Sequence, residues 1–393
     1  MNHSILQVHG VPRPCTRVLR VVHGSKYLTI NLCEIRLGGK KGNNMKNGKM
    51  GWGIIGCGNI CGSHAKGVLS NPDTAEIVAF CDIEEQKAQN ACKEYNVKQY
   101  YKDYNEMFKN KDIDVISVCT PSGNHMDVTL AAAKAKKHIL CEKPLDVTLD
   151  KIDRMIEATR KADVRFGGVF QRRTFPESKL LKKAVEDGTL GKMILGDAYL
   201  KYTRSDAYYK SAGWRATWEL DGGGALMNQG IHGIDLISWI MGGISSVYAK
   251  CATKVRKIPV EDTAIAIVTF KSGAWGVIEG TTSIWPGLET KFEISGTKGT
   301  IILEEAKILK WEVEGEKDKA PEMSKGAVKA AVGAHSDPKA ITATGHAAHV
   351  KDMVEAVKAG RDPMVNGEEG RKAVQTILAI YESSEKGKEI SIK

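Results

Sequence analysis

Asn228, His232 and Asp235 stand four and three residues apart inside the stretch DGGGALMNQGIHGID, Asp221–Asp235. On a helix this spacing predicts neighbouring positions along one stripe. An imidazole, with an ordinary pKa of about 6.5, suits proton transfer near neutral pH, and an amide beside it can orient a substrate. Gly222, Gly223 and Gly224 precede the helix and let the backbone pass close to another surface. Leu226, Ile231, Ile234, Leu236, Ile237 and Ile240 give that helix a buried face. A hydrogen-bonded core histidine behind an ordinary turn fits the same pattern, so the elements around it must decide.

The first such element is GWGIIG, Gly51–Gly56, a short apolar strand running into the loop Gly56-Cys57-Gly58-Asn59-Ile60-Cys61 and then a helix. Gly56 suits the tight turn, Gly58 lets a pyrophosphate approach, and the amides of Asn59, Ile60 and the helix start face an anion. Cys61 takes the place where glycine or alanine is usual. A second strand, EIVAFCD, ends at Asp82, an acid placed to accept from ribose hydroxyls and to repel a 2′-phosphate. Helix Glu84–Tyr95, strand Asp114–Cys119, helix His125–Ala135, strand His138–Cys141, helix Leu149–Ala162 and strand Arg165–Phe170 continue the alternation, which predicts a doubly wound parallel sheet. Ligands bind at the carboxyl ends of such strands. That rim collects Thr120, Pro121, Asn124 and His125 from CTPSGNH, and Glu142 and Lys143 from CEKP, as cofactor-binding candidates.

After Phe170 the pattern changes. Helix Ser178–Glu186 precedes strands Met193–Thr203, Val247–Thr253, Thr263–Phe270, Ala274–Thr282, Thr290–Ser295 and Thr300–Leu303, which predict a large, mostly antiparallel open sheet. The fold class is thus α/β, with a Rossmann domain over residues 50–170 and a substrate-binding and oligomerisation domain over 171–393. Helices about His346–Ala359 and Glu368–Lys386 close the chain and are placed to pack back on the first domain; Glu314–Ala340 reads as a lysine-rich polar loop. His346 and His349 open their helix within reach of the pocket. In TAIAIVTF both alternating sets are apolar, so both faces need cover; helices supply one and a second subunit the other, as a homodimer or homotetramer. Arg172, Tyr208, Tyr209, Trp214 and Arg215 suit a polyhydroxylated, anionic ligand, with guanidinium for an acid and aromatic faces for sugar rings. Packing alone would also explain the aromatics.

Composition narrows the classes. Residues 1–49 carry nine of the lysines and arginines and one acid, Glu34, which leaves 48 basic and 46 acidic residues in the body out of the chain's 57 and 47. The body is close to neutral, and nucleic-acid binding is not expected. No apolar run is long enough to span a membrane. The nine cysteines are scattered and no CxxC pair occurs; neither zinc nor any other metal site is expected, and a reducing cytoplasm fits. Residues 1–49 read as a disordered extension, or as sequence upstream of a true start at Met45 or Met50.

GIIGCGNI, CTPSGNH, CEKP and GGGALMNQGIHGIDL together resemble the glucose–fructose oxidoreductase/inositol dehydrogenase (Gfo/Idh/MocA) family over Met50–Lys393. The resemblance implies a nicotinamide-dependent dehydrogenase acting on a secondary hydroxyl of a sugar, sugar acid, nucleotide sugar or cyclitol. Lys143 matches the family's lysine beside the nicotinamide and the reacting hydroxyl, and His232 its helix histidine, often the general acid/base. Many members carry aspartate four residues before that histidine. Here Asn228 stands there as a supporting catalytic residue, and an aspartate restored at 228 is expected to be tolerated. MNQGIH, YYKSAGWRATW and HSDPKAITATGH look most similar to members grouped with UDP-N-acetylglucosaminuronate 3-dehydrogenases. NAD is the cofactor expected. A glycosidase that oxidises transiently with bound NAD, and a sensing regulator without turnover, are the alternatives; retention of Lys143 and His232 speaks against the second.

Overall fold

The structure, a computed structural model, describes residues 18–23, 26–31, 48–317 and 343–393. The chain divides into two units, Met1–Asn44 and Met45–Lys393. The extension expected over residues 1–49 lies largely outside the described residues. Within it, β1 (Val18–His23) and β2 (Lys26–Asn31) pair as antiparallel strands, where a disordered stretch was expected. Both are rich in β-branched residues, which favour an extended backbone.

The larger unit begins with a six-stranded parallel sheet. Its strands are β3 (Met50–Ile55), β4 (Ala75–Cys81), β5 (Gln99–Tyr101), β6 (Val115–Val118), β7 (His138–Cys141) and β8 (Phe166–Gly168), in the order β5-β4-β3-β6-β7-β8. This is the doubly wound order, in which the chain reverses direction across the sheet between β3 and β6 and leaves a crevice at their carboxyl ends. All six residues of β3 are buried, as expected for a strand covered on both faces. One cover comes from far along the chain. Helix Thr344–Ala359 lies against helix Cys61–Leu69, and Val350, Met353 and Val354 share a core with Trp52, Ile54 and Phe80. A Cβ at Gly67 would come within 3.1 Å of His346, so glycine permits this approach.

The second sheet has eight strands: β9 (Met193–Lys201), β10 (Ile244–Ala252), β11 (Thr263–Phe270), β12 (Trp275–Thr281), β13 (Lys291–Gly296), β14 (Gly299–Glu304), β15 (Lys307–Val313) and β16 (Ile390–Ser391). Their order is β15-β14-β13-β9-β12-β11-β10-β16, and only β9 and β12 pair in parallel. β15 was not expected from its sequence, KILKWEV; it buries only Ile308 and Trp311 among charged and half-buried neighbours. Helix Ile231–Ile240 packs on the inner face of the sheet, where a Cβ at Gly233 would lie 2.2 Å from Leu200. Helix Gly367–Lys386 covers β10 on the same side. Along β11, Ala264, Ala266, Val268 and Phe270 point into this core, while Ile265 and Ile267 are 52 % and 55 % exposed on the other face.

Candidate active site

The glycine loop is built around two constraints. Gly56 has φ +96°, and a Cβ there would meet the Cys119 carbonyl oxygen at 2.5 Å, so only glycine turns here. Gly58 faces open space, with nothing within 4 Å of its missing Cβ. The following helix, Cys61–Leu69, has no side-chain cap; its Cys61 and Ser63 amides turn back to the Gly58 and Ile60 carbonyls at 3.1 and 3.0 Å, so an anion at this end would rest on the loop amides before them and on the helix dipole. Cys61 is buried where the helix meets β3 and fits the core in place of the usual smaller residue. Asp82 follows β4 beside the loop: Oδ2 accepts from the Cys57 amide and Oδ1 from the Glu84 amide, both at 2.8 Å. These residues fit a dinucleotide, with the loop at its pyrophosphate and the half-buried Asp82 at its ribose.

The CTPSGNH loop is tied across to the second domain. Gly123 donates to the Leu220 carbonyl at 2.9 Å, just ahead of the triple glycine. Asn124 is exposed, Pro121 is half-buried, and the Thr120 hydroxyl is buried without a hydrogen-bond partner. His125 points inward: its Nδ1 lies 2.8 Å from the Pro144 carbonyl and its Nε2 2.9 Å from that of Thr120. It therefore staples this loop to the Glu142-Lys143-Pro144 turn rather than facing the crevice.

Lys143 lies near enough to His232 for its charge to act on the imidazole. Lys143 Nζ donates to the backbone carbonyl of Asn228 at 2.8 Å, one turn ahead of His232. Burial lowers the Lys143 ammonium from its ordinary range, Glu142 and Asp221 oppose that, and Arg215 and Arg204 add to it. His232 is held well below the ordinary imidazole range, by burial first and the Lys143 charge second. Its ring stands edge-on to Phe170, with centroids 6.2 Å apart, and Nδ1 is buried without a hydrogen-bond partner. The imidazole is thus neutral and has an unused nitrogen.

Two details of the expected stripe are corrected. Ala225–Gly230 is a π-helical turn and the α-helix begins only at Ile231, so Asn228 and His232 are not α-helical neighbours. Asp235 is buried away from His232, with both oxygens on Arg173 at 2.8 and 2.6 Å, and Arg173 also reaches Glu369 at 2.8 Å. The carboxylate that does reach the site is Asp221, at the head of the motif. Its Oδ1 accepts from Asn228 Nδ2 at 2.5 Å and its Oδ2 from the Ala216 amide at 2.8 Å. Glu261 anchors the turn between them, accepting from the Gly224 and Leu226 amides and from the Tyr381 hydroxyl, all at 2.8 Å. Burial pushes its carboxyl up to about 7. Asp221, Glu261 and Tyr381 were not assigned from sequence; only Asp221 carried a signal, its place in the motif.

The substrate candidates separate. Tyr208 Oη accepts from Gln229 Nε2 and from Arg215 Nη1, each at 2.6 Å. The Arg215 guanidinium lies over the Tyr208 ring at 4.3 Å and the Trp214 ring at 4.7 Å. This half-buried cluster adjoins Asn228 through Gln229, whose Nε2 is 3.2 Å from Asn228 Oδ1. Tyr209 instead turns into the core and bonds Thr282 at 2.7 Å. Arg172 pairs with Glu305 at 2.9 Å and Thr290 at 3.0 Å, while its Nη1 is buried without a partner.

Glu142, expected on the cofactor rim, is buried behind it between His64 and His346. His349, close by, accepts from the Phe170 amide at 3.1 Å, so neither late histidine opens into the pocket. The donor atoms of His64, Glu142 and His346 all lie within 4.8 Å of one another, a spacing that an ion could share. Both imidazoles aim Nε2 at the same carboxylate oxygen, however, and hydrogen bonds account for the trio.

A doubly wound sheet with a glycine loop, a terminal acid and a rim lysine, facing a neutral histidine from a second sheet domain, defines a dinucleotide-dependent oxidoreductase. The chain belongs to the Gfo/Idh/MocA oxidoreductase family: residues 50–169 match its model for the NAD-binding Rossmann fold, and residues 178–302 its C-terminal domain. The chain is similar to myo-inositol 2-dehydrogenase of Thermotoga maritima, at 31 % identity over 353 residues, 87 % of this chain and 98 % of that protein. It is 26 % identical over 286 residues to levoglucosan dehydrogenase of Pseudarthrobacter phenanthrenivorans, covering 66 % of this chain and 73 % of that one. The crystal structure of the WlbA dehydrogenase from Bordetella pertussis with NADH and UDP-GlcNAcA superposes with a TM-score of 0.79 at 29 % identity, covering 89 % of this chain and 99 % of that one.

Proposed function

We infer that this protein is an NAD-preferring dehydrogenase that oxidises a secondary hydroxyl of an anionic sugar, with a nucleotide-linked uronic acid the favoured class. The observation that carries this reading is the Lys143 ammonium held on the Asn228 carbonyl at 2.8 Å, four residues before His232, whose Nδ1 has no partner. The glycine loop and Asp82 would hold NAD, which would supply the acceptor for the carbinol hydride as the alcohol becomes a ketone. His232, neutral, accepts the hydroxyl proton; Lys143 stabilises the charge that develops on oxygen. Arg215, Tyr208 and Trp214 offer the sugar its flat faces and its acid a counter-charge. The sugar nucleotide bound by the WlbA dehydrogenase supports this class. The test is a panel of UDP-N-acetylglucosaminuronate, myo-inositol and levoglucosan with NAD, read as NADH absorbance. Turnover of myo-inositol alone would replace the substrate reading. Cleavage of a glycosidic bond without NADH release would replace the reaction.

Asp82 supports the preference for NAD over NADP. A 2′-phosphate beside this carboxylate meets like charge, which costs several kcal/mol, and each ~1.4 kcal/mol is about tenfold. The kcat/KM for NAD is therefore expected to exceed that for NADP by at least about tenfold. Ile83 is 80 % exposed, so the pair Asp82→Ser and Ile83→Arg has room for its guanidinium and should shift preference toward NADP. Tighter wild-type binding of NADP would refute the role of Asp82.

The outer face of the second sheet supports self-association. Tyr248 and Ile267 pair across β10 and β11, and Leu195 and Trp275 across β9 and β12, all exposed. A contiguous apolar face of this kind marks an interface. Ile267→Lys is expected to reduce the mass seen by light scattering to that of a smaller assembly; a wild-type monomer would dismiss the idea. All seven described cysteines are free, which suits a reducing, cytoplasmic setting. Among the described residues no helix is long and apolar enough to cross a membrane.

A further inference from the structure

Glu142 is only 6 % exposed, and it immediately precedes Lys143. His64 Nε2 and His346 Nε2 meet its Oε1 at 3.0 and 3.1 Å, and the Lys143 amide donates to its Oε2 at 3.1 Å. His64 comes from the glycine-loop helix and His346 from the first turn of helix Thr344–Ala359, so three distant segments converge on one carboxylate. His64 is fixed from behind. Trp52 Nε1 donates to Ser117 Oγ at 2.8 Å, and that oxygen lies 2.9 Å from His64 Nδ1. The serine hydroxyl is free to give its proton to Nδ1, which leaves the His64 proton on Nε2, aimed at Glu142.

The electrostatics agree. Burial works to raise the Glu142 carboxyl, but the hydrogen bonds from His346 and His64 prevail and hold it well below the usual carboxylate range. A buried carboxylate stays ionised only when it is partnered in this way. Lys143 has the opposite need. Burial favours its neutral amine, and an ammonium beside the reacting oxygen requires a nearby negative charge.

We propose that His64 and His346 are positioning residues of the reaction: they clamp Glu142, and the clamped carboxylate fixes both the backbone that carries Lys143 and the charge that keeps its side chain an ammonium. This rests on the reading of Lys143 as the group that meets the substrate hydroxyl.

Two measurements on the full chain test it. With the substrate identified by the panel, His346→Ala is expected to lower kcat by about 10–100-fold, by analogy with the loss when the outer partner of a metal ligand is removed. KM for NAD should change little, while the Tm falls because a buried carboxylate loses one partner, so kcat is read well below the variant's Tm. His346→Gln, whose amide N–H can still reach the same oxygen, should recover most of the loss. The second measurement needs no turnover: acylation of Lys143 by an amine-selective reagent, followed against pH by mass spectrometry. Glu142→Gln removes a negative charge while Asp221, Arg204, Arg215 and His232 still face the amine. The midpoint for Lys143 should then move to lower pH. An unmoved midpoint, or a kcat loss that tracks the Tm and is not rescued by glutamine, would make the trio structural only. Stoichiometric zinc in the wild-type protein, lost in His346→Ala, would make it a metal centre instead. A wild type that oxidises nothing but shows the shift in midpoint would leave the clamp standing and remove the proposed reaction.

Discussion

Alanine at Lys143 or at His232 is expected to lower kcat by about 10²–10⁴-fold, the usual contribution of a positioned proton-handling group. Both side chains are held by rigid elements: Lys143 stands two residues past the end of β7, and His232 sits in the first turn of the helix on the second sheet. Groups so placed are already close to working geometry, and water has no equivalent to offer in their absence. The two variants should differ in what else they disturb. Lys143 is closer to the cofactor rim, so Lys143→Ala should weaken NADH binding more than His232→Ala. The pH profile carries an independent sign. His232 is held below 6.5, so the neutral base persists, and the acid limb of kcat should lie below pH 6.5. The Lys143 ammonium is lowered from 10.5, so the alkaline limb should lie below that value. An acid limb above pH 6.5 would remove His232 as the base, and a His232→Ala variant that turned over normally would return the histidine to a structural role.

Much of this was legible because it is periodic. Strands and helices alternate over residues 50–170, and the alternation alone orders the parallel sheet that brings the glycine loop, Asp82 and Lys143 to one rim. The misses have physical causes. A π-helical turn has no residue signature that separates it from an α-helix, so Asn228 was placed on the wrong stripe. Asp235 looked like part of the site because of its spacing, but its partner, Arg173, is 62 residues away. Arg172 likewise pairs with Glu305 across 133 positions, and His346 with Glu142 across 204. Local pattern cannot register such pairings, and they decide whether a charge is open to a ligand or held by the protein. β15 escaped for another reason: an edge strand with only two buried side chains alternates too weakly to announce itself.

Asn228→Asp is the sharpest case in which the structure reverses an expectation. The family's more frequent aspartate at this position suggested tolerance. In this protein the Asn228 amide donates to Asp221 Oδ1 at 2.5 Å, and Asp221 is 2 % exposed. An aspartate at 228 would set two carboxylates against each other where water cannot screen them, and one of them must hold a proton. Like charges so placed cost several kcal/mol, so a loss of about 2–4 kcal/mol of stability is expected at a pH where both would otherwise ionise. The sign with pH is fixed. The folded pair keeps a proton that unfolded aspartates release near pH 3.9, so its pKa is raised on folding. Stability is then fully present below about pH 4 and is lost as pH rises through the raised value. Thermal melts of Asn228→Asp should therefore fall further behind wild type at pH 8 than at pH 5, with kcat falling in parallel. Adding Asp221→Asn returns one amide and one carboxylate to the contact with their positions exchanged, and should recover most of the lost stability, as coupled neighbours do in a double-mutant cycle. A single variant that melts like wild type across this range, or a double variant no better than the single, would show that Asn228 and Asp221 do not share this hydrogen bond.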